Sequence, residues 1–463
     1  MRLLKATWRE SVTELRQWAP TASSRLPSSC PTFIHGLGDI VSPTEQRTQY
    51  GAIYDDHSPQ RSSTGLSPQV TFSLEYAIKS NDIEGHETVR VKEEDMPVFS
   101  YFIDQCGPWL DIVSPDRRIA QSVSRLALKC SVLYYACLAY AARILHLHGR
   151  MDLDRSESYQ SQAIRHLIPS LDPSKSSTAE ILLPTTVILR MAEQFLELAD
   201  DPQCHMQGAY SVFSAANSSY SPSRIDVQGV SFWIGVRECL RICFLYEREC
   251  QFDIEIVDTS DLLGQASDEV WTNRMTYHLA RLCNICWGAA NKPRFEHELE
   301  TIAADIDRWR QHLPDGFKPW YYQDNVSDIF PIIKYYSTWH AIGWQQYYAA
   351  RTMIGVYRTK QSLGDNSGTI QEFVNSKTLL VARLCCAVVF SCDEIGTGIN
   401  GSHLACWTGR LFTGRREQQI ISEWLSEFMR RTKWPNQTCL ERLAHDWGIS
   451  TKKTIGPQSP PYV

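Results

Sequence analysis

FPIIKYYSTWHAIGWQQYYAARTMIGVY, residues 330–357, decides the fold. Apolar and aromatic side chains occupy nearly every side of a helical wheel drawn through it. Gly343, Ala349, Ala350 and Gly355 leave room for close neighbours. A helix that is apolar all round lies in the interior of a large domain, so the stretch predicts a central helix ringed by others. Helical periodicity recurs on both sides of it. A first helix is opened by Pro97 and closed by Gly107-Pro108. The stretch 118–148 follows, with Tyr134, Leu138 and Ala141 at helical spacing. Further helices are expected near 155–170, 178–198, 203–217, 228–248, 267–290, 293–312, 328–358, 369–393 and 416–445. In 228–248, Arg237, Arg241 and Arg248 share one narrow stripe, while Phe232, Val236, Leu240 and Cys243 line another face. Alternating strand patterns are almost absent. The expected fold is all-α: a large multi-helix array around a buried central helix, spanning 95–448.

The flanks read differently. TASSRLPSSCP (21–31) and HSPQRSSTGLSP (57–68) have linker composition, so 1–94 is expected to be a disordered N-terminal region. Within it, 3–19 carries a short amphipathic helix marked by Leu4, Trp8, Val12, Leu15 and Trp18. Residues 449–463 read as a flexible tail. Arg9, Glu10 and Glu14 interrupt the N-terminus, which is therefore not a secretory signal. The longest apolar run, Cys130 to Ala142, falls short of the ~18 residues of a membrane span. A net charge of −6 argues against a surface built to grip phosphate backbones. The 15 cysteines are expected to stay reduced, and the sequons at Asn217, Asn325, Asn400 and Asn436 unmodified.

Chemical motifs were weighed against plainer readings. Gly396-Thr-Gly398-Ile-Asn-Gly401 has the letters of a dinucleotide fingerprint, but a helical pattern precedes it where a strand is required. It reads as a flexible helix-to-helix loop. Cys283 and Cys286 share a helix face, as do Cys239 and Cys243, which is half of a zinc site in each case. Nothing in their order along the chain brings the two pairs together, and all four read as buried thiols. His146 and His148 do not face each other, and His278 and His340 read as satisfied core residues. Arg415-Arg416, Arg430-Arg431-Lys433 and Lys452-Lys453 read as solvated faces. A terpenoid synthase would need carboxylates at helical spacing around magnesium. The only adjacent aspartates, Asp55-Asp56 and Asp200-Asp201, lie in a linker and at a helix end. No residue is therefore assigned as catalytic, cofactor-binding or metal-binding, and the ligand-binding residues are unknown.

The order of segments resembles the fungal-specific regulatory domain, or middle homology region, of zinc-cluster transcription factors, from about 95 to 448. MPVFSYFIDQCGPWLDI (96–112) looks like its opening helix and aspartate-bearing turn, and LALKCSVLYYACLAYAARIL (126–145) like its alanine-rich second segment. YQSQAIRHLIPSL and ILLPTTVILRMAEQFLELADDPQCHMQGAYSVF match its paired helices, including Asp200-Asp201, His205 and Gly208. In VSFWIGVRECL (230–240), Phe232, Trp233 and Arg237 stand where the family has its Phe-Trp and arginine. LARLCNICWG, the Trp309–Pro314 pair and KWPNQTCLERLAHDWG (433–448) complete the likeness.

In that family a module of six cysteines within about thirty residues binds two zinc ions and places a helix in the major groove. Here Cys30 is the single cysteine before residue 106, so the module is not in this sequence and direct DNA binding is not assigned. Either the reading frame as given starts downstream of the module, or this is a stand-alone regulatory domain. The resemblance implies a nuclear transcription regulator without catalysis or cofactor, zinc being expected only with an upstream module. It implies contacts with the transcription machinery, a small-molecule effector, self-association as a homodimer and no membrane. Control of a metabolic or secondary-metabolite gene cluster is the expected role. The alternatives are an all-α enzyme with a hydrophobic pocket and a helical scaffold with no transcriptional role.

Overall fold

Why the interior accepts so many helices is clearest at one short segment. A computed structural model describes residues 89–170, 179–195, 220–288, 294–324, 329–363, 371 and 374–449. The amphipathic helix at 3–19, most of the N-terminal linker, the 203–217 helix, both aspartate pairs, His205, Gly208 and the tail beyond Ile449 lie outside these residues. So do Asn217, Asn325 and Lys452-Lys453.

The chain is built of helices with a single two-stranded ribbon among the described residues. Early helices are α1 (Met96–Tyr101), α2 (Gly107–Leu110), α3 (Ser124–Ala127), α4 (Ser131–Leu147), α5 (Leu153–Ser170) and α6 (Ala179–Gln194). The middle of the chain forms α7 (Val227–Tyr246), α8 (Asp268–Cys283) and α9 (Phe295–Gln311). Strands β1 (Tyr321–Gln323) and β2 (Ile332–Lys334) then pair antiparallel, with Tyr322 opposite Ile333. The chain continues in α10 (Thr338–Leu363), α11 (Ser376–Phe390), α12 (Ile395–Gly409), α13 (Arg415–Thr432) and α14 (Gln437–Asp446). The expected all-α class is observed, and no described helix is long and apolar enough to cross a membrane.

Four local expectations are corrected. Gly107-Pro108 does not close the first helix. A π turn over Phe102–Cys106 lets the Gly107 amide reach back to the Phe102 carbonyl, and Pro108 falls at the start of α2, where its missing N–H costs no ladder bond. The central helix begins only at Thr338, because Ile332–Lys334 pairs as a strand and the Ile333 amide also donates to Ser391 Oγ at 3.0 Å. Trp434-Pro435 splits the last helical stretch in two, with Lys433 left-handed at φ 62°. The fourth correction is the largest: Gly396–Gly401 is no loop. It lies inside α12, a helix buried along most of its length.

That helix is the hub. It packs against α7, α10, α11, α13, α14 and the turn at α2. Glycine makes this possible by letting neighbours approach the backbone itself. A Cβ on Gly396 would lie 2.2 Å from Ile112 Cγ2 and 2.7 Å from the Trp109 carbonyl oxygen. One on Gly398 would lie 2.3 Å from the Phe428 ring. The expected central helix is also buried, from Ala341 through Ile354 with only Arg351 partly open, so the interior holds several buried helices rather than one.

The opening segment is fixed by polar contacts. Asp95, buried just before α1, accepts from Tyr159 Oη at 2.7 Å and Tyr134 Oη at 3.3 Å. Asp111, in the aspartate-bearing turn, accepts from the amides of Ile119 and Ala120, both at 2.8 Å. It thereby satisfies donors at the start of the next helical segment. Burial raises its carboxyl to about 6 although these amides oppose the shift.

Gly396→Ala tests the hub. Alanine is the better helix former by about 1 kcal/mol, yet overpacking against the Trp109 backbone is expected to cost more, for a net loss of about 1–3 kcal/mol. A urea midpoint equal to or above that of the unsubstituted chain would refute the close-approach argument.

Candidate functional site

VSFWIGVRECL, with Phe232, Trp233 and Arg237, lies within α7. Asp226 caps it by accepting the Gly229 amide at 2.7 Å. Every residue from Gly229 to Leu245 is buried. The arginine stripe is therefore not a solvent face, because Arg237 and Arg241 are only 5% and 8% exposed. Phe232 stacks on Tyr220 with ring centres 4.4 Å apart and meets Trp233 and Phe252 edge-on. Arg241 lies 4.9 Å over the Trp434 ring, which docks the segment between α13 and α14 onto α7. Such a cation–aromatic contact contributes about 0.5–2 kcal/mol.

A charged cluster is enclosed between α6 and α7. Arg190 pairs with Glu193 at 2.9 Å, and Glu238 accepts from the Gln194 side-chain amide. Arg237 donates to Asn273 Oδ1 at 3.2 Å, and Asn273 donates onward to the Pro222 carbonyl at 3.1 Å. Burial lowers Arg237 to about 10, with Glu238 working against the shift. Burial likewise raises Glu238, opposed by Arg241, Arg190, Gln194 and Arg237. Each charge is tolerated because the others are there. Beside them opens a cleft lined by Trp109, Ile112, Met191, Arg237, Glu238 and Asn400, with a volume near 10 Å³, about the room of one water. A larger effector would enter only if α6, α7 and α12 moved apart.

At the far end of α7 the chain reverses. Glu247 adopts left-handed φ 51°, and the following loop folds back over the helix because Gly235 leaves space for the Phe252 ring. Glu247 also holds the C-terminal helices. It accepts from Trp407 Nε1 at 2.9 Å, lies 3.2 Å from Arg442 Nη2, and pairs with Arg410. Arg410 in turn reaches Asp446 at 2.8 Å.

The fold places the residues singled out in the sequence as follows. Cys239, Cys243, Cys283 and Cys286 are all buried, as expected. Their order along the chain joins no pair, but the back-folded loop adds Cys250 beside Cys239, with 3.3 Å between the sulfurs. Cys243 and Cys283 meet across α7 and α8 through a side-chain interaction. Cys250 was not anticipated, because a loop residue has no helical period to reveal its partner. His146 Nδ1 meets the Met151 carbonyl at 3.0 Å, and burial lowers the pKa of His148. His340 meets Asp268 at 2.8 Å. His278 departs from expectation, since both of its buried ring nitrogens lack a hydrogen-bond partner. Asn436, one of the sequons, is wholly buried. Arg415, Arg416, Arg430 and Arg431 are exposed, as expected of a solvated face.

Fold and site together define a large helical domain with an enclosed polar centre. Residues 97–267 match the family described as "Fungal specific transcription factor domain", which bears out the likeness seen in the sequence over that range. The matched stretch is thus similar to a domain of fungal transcription factors. Neither the curated proteins nor the solved structures provide a match.

Two predictions follow from these buried charges. Glu238→Ala removes the negative charge that offsets Arg190, Arg237 and Arg241, and is expected to cost about 3–5 kcal/mol in chemical denaturation. A loss below 1 kcal/mol would mean the cluster is not electrostatically closed. Burial also depresses His278 to about 4 and His403 to about 3, from an ordinary 6.5. Below pH 6.5 the unfolded chain then binds protons that the folded chain refuses. Stability is thus complete above pH 6.5 and declines as pH falls toward 4, with His403 extending the decline toward 3. Replacing His278 by Phe should flatten part of that slope in pH-dependent unfolding curves.

Proposed function

We propose that this chain is the regulatory part of a fungal transcription regulator of the zinc-cluster type, acting in the nucleus through protein contacts and without catalysis. The observation that supports the reading is the family match over residues 97–267, a range in which Phe232, Trp233 and Arg237 are core residues. The helical unit from 95 to 448 is read as the regulatory domain, flanked by 1–94 and 449–463. Its partners are components of the transcription machinery, with homodimer formation as a second mode of contact. Direct DNA binding is not assigned to these residues, and zinc of the DNA-binding kind belongs to an upstream module. The genes it governs are read as a metabolic or secondary-metabolite cluster.

Regulation by such a domain requires two arrangements of similar free energy, one of which a partner or effector favours. The charged cluster between α6 and α7 supplies a physical candidate for the divide. Opening the cleft at Arg237 and Glu238 would part charges from their present partners, and an effector with complementary groups would take the place of those partners. Displacement of α6 from α7 is therefore the movement assigned to effector binding.

The reading is tested in cells. Tagged full chain is expected to concentrate in nuclei, and deletion of its gene to change the transcripts of a restricted set of neighbouring metabolic genes at least several-fold. Cytosolic protein combined with an unchanged transcript profile would overturn it. The genomic sequence upstream of Met1 supplies an independent check, since six in-frame, closely spaced cysteine codons are expected of the zinc-cluster type.

A further inference from the structure

The thiols at the end of α7 form a constellation that the regulatory reading does not use. Cys239 and Cys243 lie one helical turn apart on α7, and Cys250 comes from the loop that folds back over it. The three sulfurs lie within 4.8 Å of one another. Tetrahedral coordination with metal–sulfur bonds of about 2.3 Å places sulfurs roughly 3.8 Å apart, so this triangle has the size of one face of such a site. Cys283, at the C-terminal end of α8, interacts with Cys243 from the neighbouring helix but lies outside that triangle. The triangle thus draws on two separate pieces of backbone, and Cys283 offers a further buried thiol from a third.

The surroundings are those of a closed thiolate centre. All four thiols are buried. The Gln251 amide donates to Cys239 Sγ at 3.3 Å, an N–H···S contact that would stabilise a thiolate. The Cys250 amide is held by Asn284 Oδ1 at 2.7 Å, which fixes the loop against the turn following α8. The wedge of Phe252 over Gly235 fixes it against α7. Packing alone does not need three polarisable thiols at a single point with a fourth beside them. Soft sulfur donors select thiophilic ions, and a site of four cysteines without an open position suits zinc.

We propose that Cys239, Cys243, Cys250 and Cys283 bind one zinc ion, a structural centre within the helical domain that is separate from any DNA-binding module. Binding would draw Cys283 onto the triangle as fourth ligand and release the thiol protons, since the ion takes thiolates. The ion would clip the loop after α7 to the end of α8. Cys286, three residues beyond Cys283, is not a ligand, although sequence spacing makes it Cys283's natural partner.

Full chain purified without added chelator and assayed by elemental analysis is expected to hold about one zinc per polypeptide. Cys250→Ser and Cys283→Ala should each lower that content at least fivefold, while Cys286→Ala should leave it unchanged. Should a variant fail to fold, the unsubstituted chain decides. Cobalt added after zinc removal should give the intense visible d–d bands of a tetrahedral tetrathiolate, and a mercurial titrating the thiols should release zinc in step. Zinc-free protein that takes up neither zinc nor cobalt would overturn the proposal. So would a disulfide linking Cys239 to Cys250, or loss of metal on Cys286→Ala.

Discussion

The rest of the structure depends on how closely helices can approach α12. Six neighbouring elements converge on it, and each needs a contact surface that a typical side chain would occupy. Gly396, Gly398 and Gly401 remove the obstacle, so that Ile112, Phe428 and Val389 rest almost on the helix backbone. Glycine is a poor helix former, costing about 1 kcal/mol relative to alanine, and three in one short helix run against local propensity. Packing on all sides overrides it. Elsewhere bulk fills the interior, with Trp309, Trp344 and Trp434 fully buried.

Converging helices create the second constraint. Once α7 is enclosed, its arginines cannot reach solvent, and their charge must be answered inside. Glu238, Asn273 and the Trp434 ring answer it from α7 itself, from α8 and from the segment between α13 and α14. An apolar core would hold these helices together as well or better, since buried ion pairs add little net stability. What they do is set the register between α6, α7 and the C-terminal segment, because each charge has to meet its own partner. That is a useful property in a domain meant to respond to a signal.

Beyond these charges, Glu247 and the thiol constellation tie the matched segment to helices outside it. Glu247 gathers Trp407, Arg410 and Arg442 from α12, the turn after it and α14, while Cys243 meets Cys283 across the end of α8. Residues 97–267 therefore do not fold around their own core alone. A change at their far end has a direct mechanical path into α8 and α14.

By itself, the sequence determined the helical class, the positions of most helices and the burial of α10, because these follow from a 3.6-residue period of apolar side chains that any register preserves. It also carried the ordered segments that resemble the family. Only the tertiary structure decided that 396–401 is helical, since local propensity there points the other way and the deciding contacts come from Trp109 and Phe428, far along the chain. Only it could turn Arg237 and Arg241 inward, or join Cys250 to cysteines of two helices. Pairings across a chain reversal depend on where the loop lands, and no periodicity along the chain encodes that landing point.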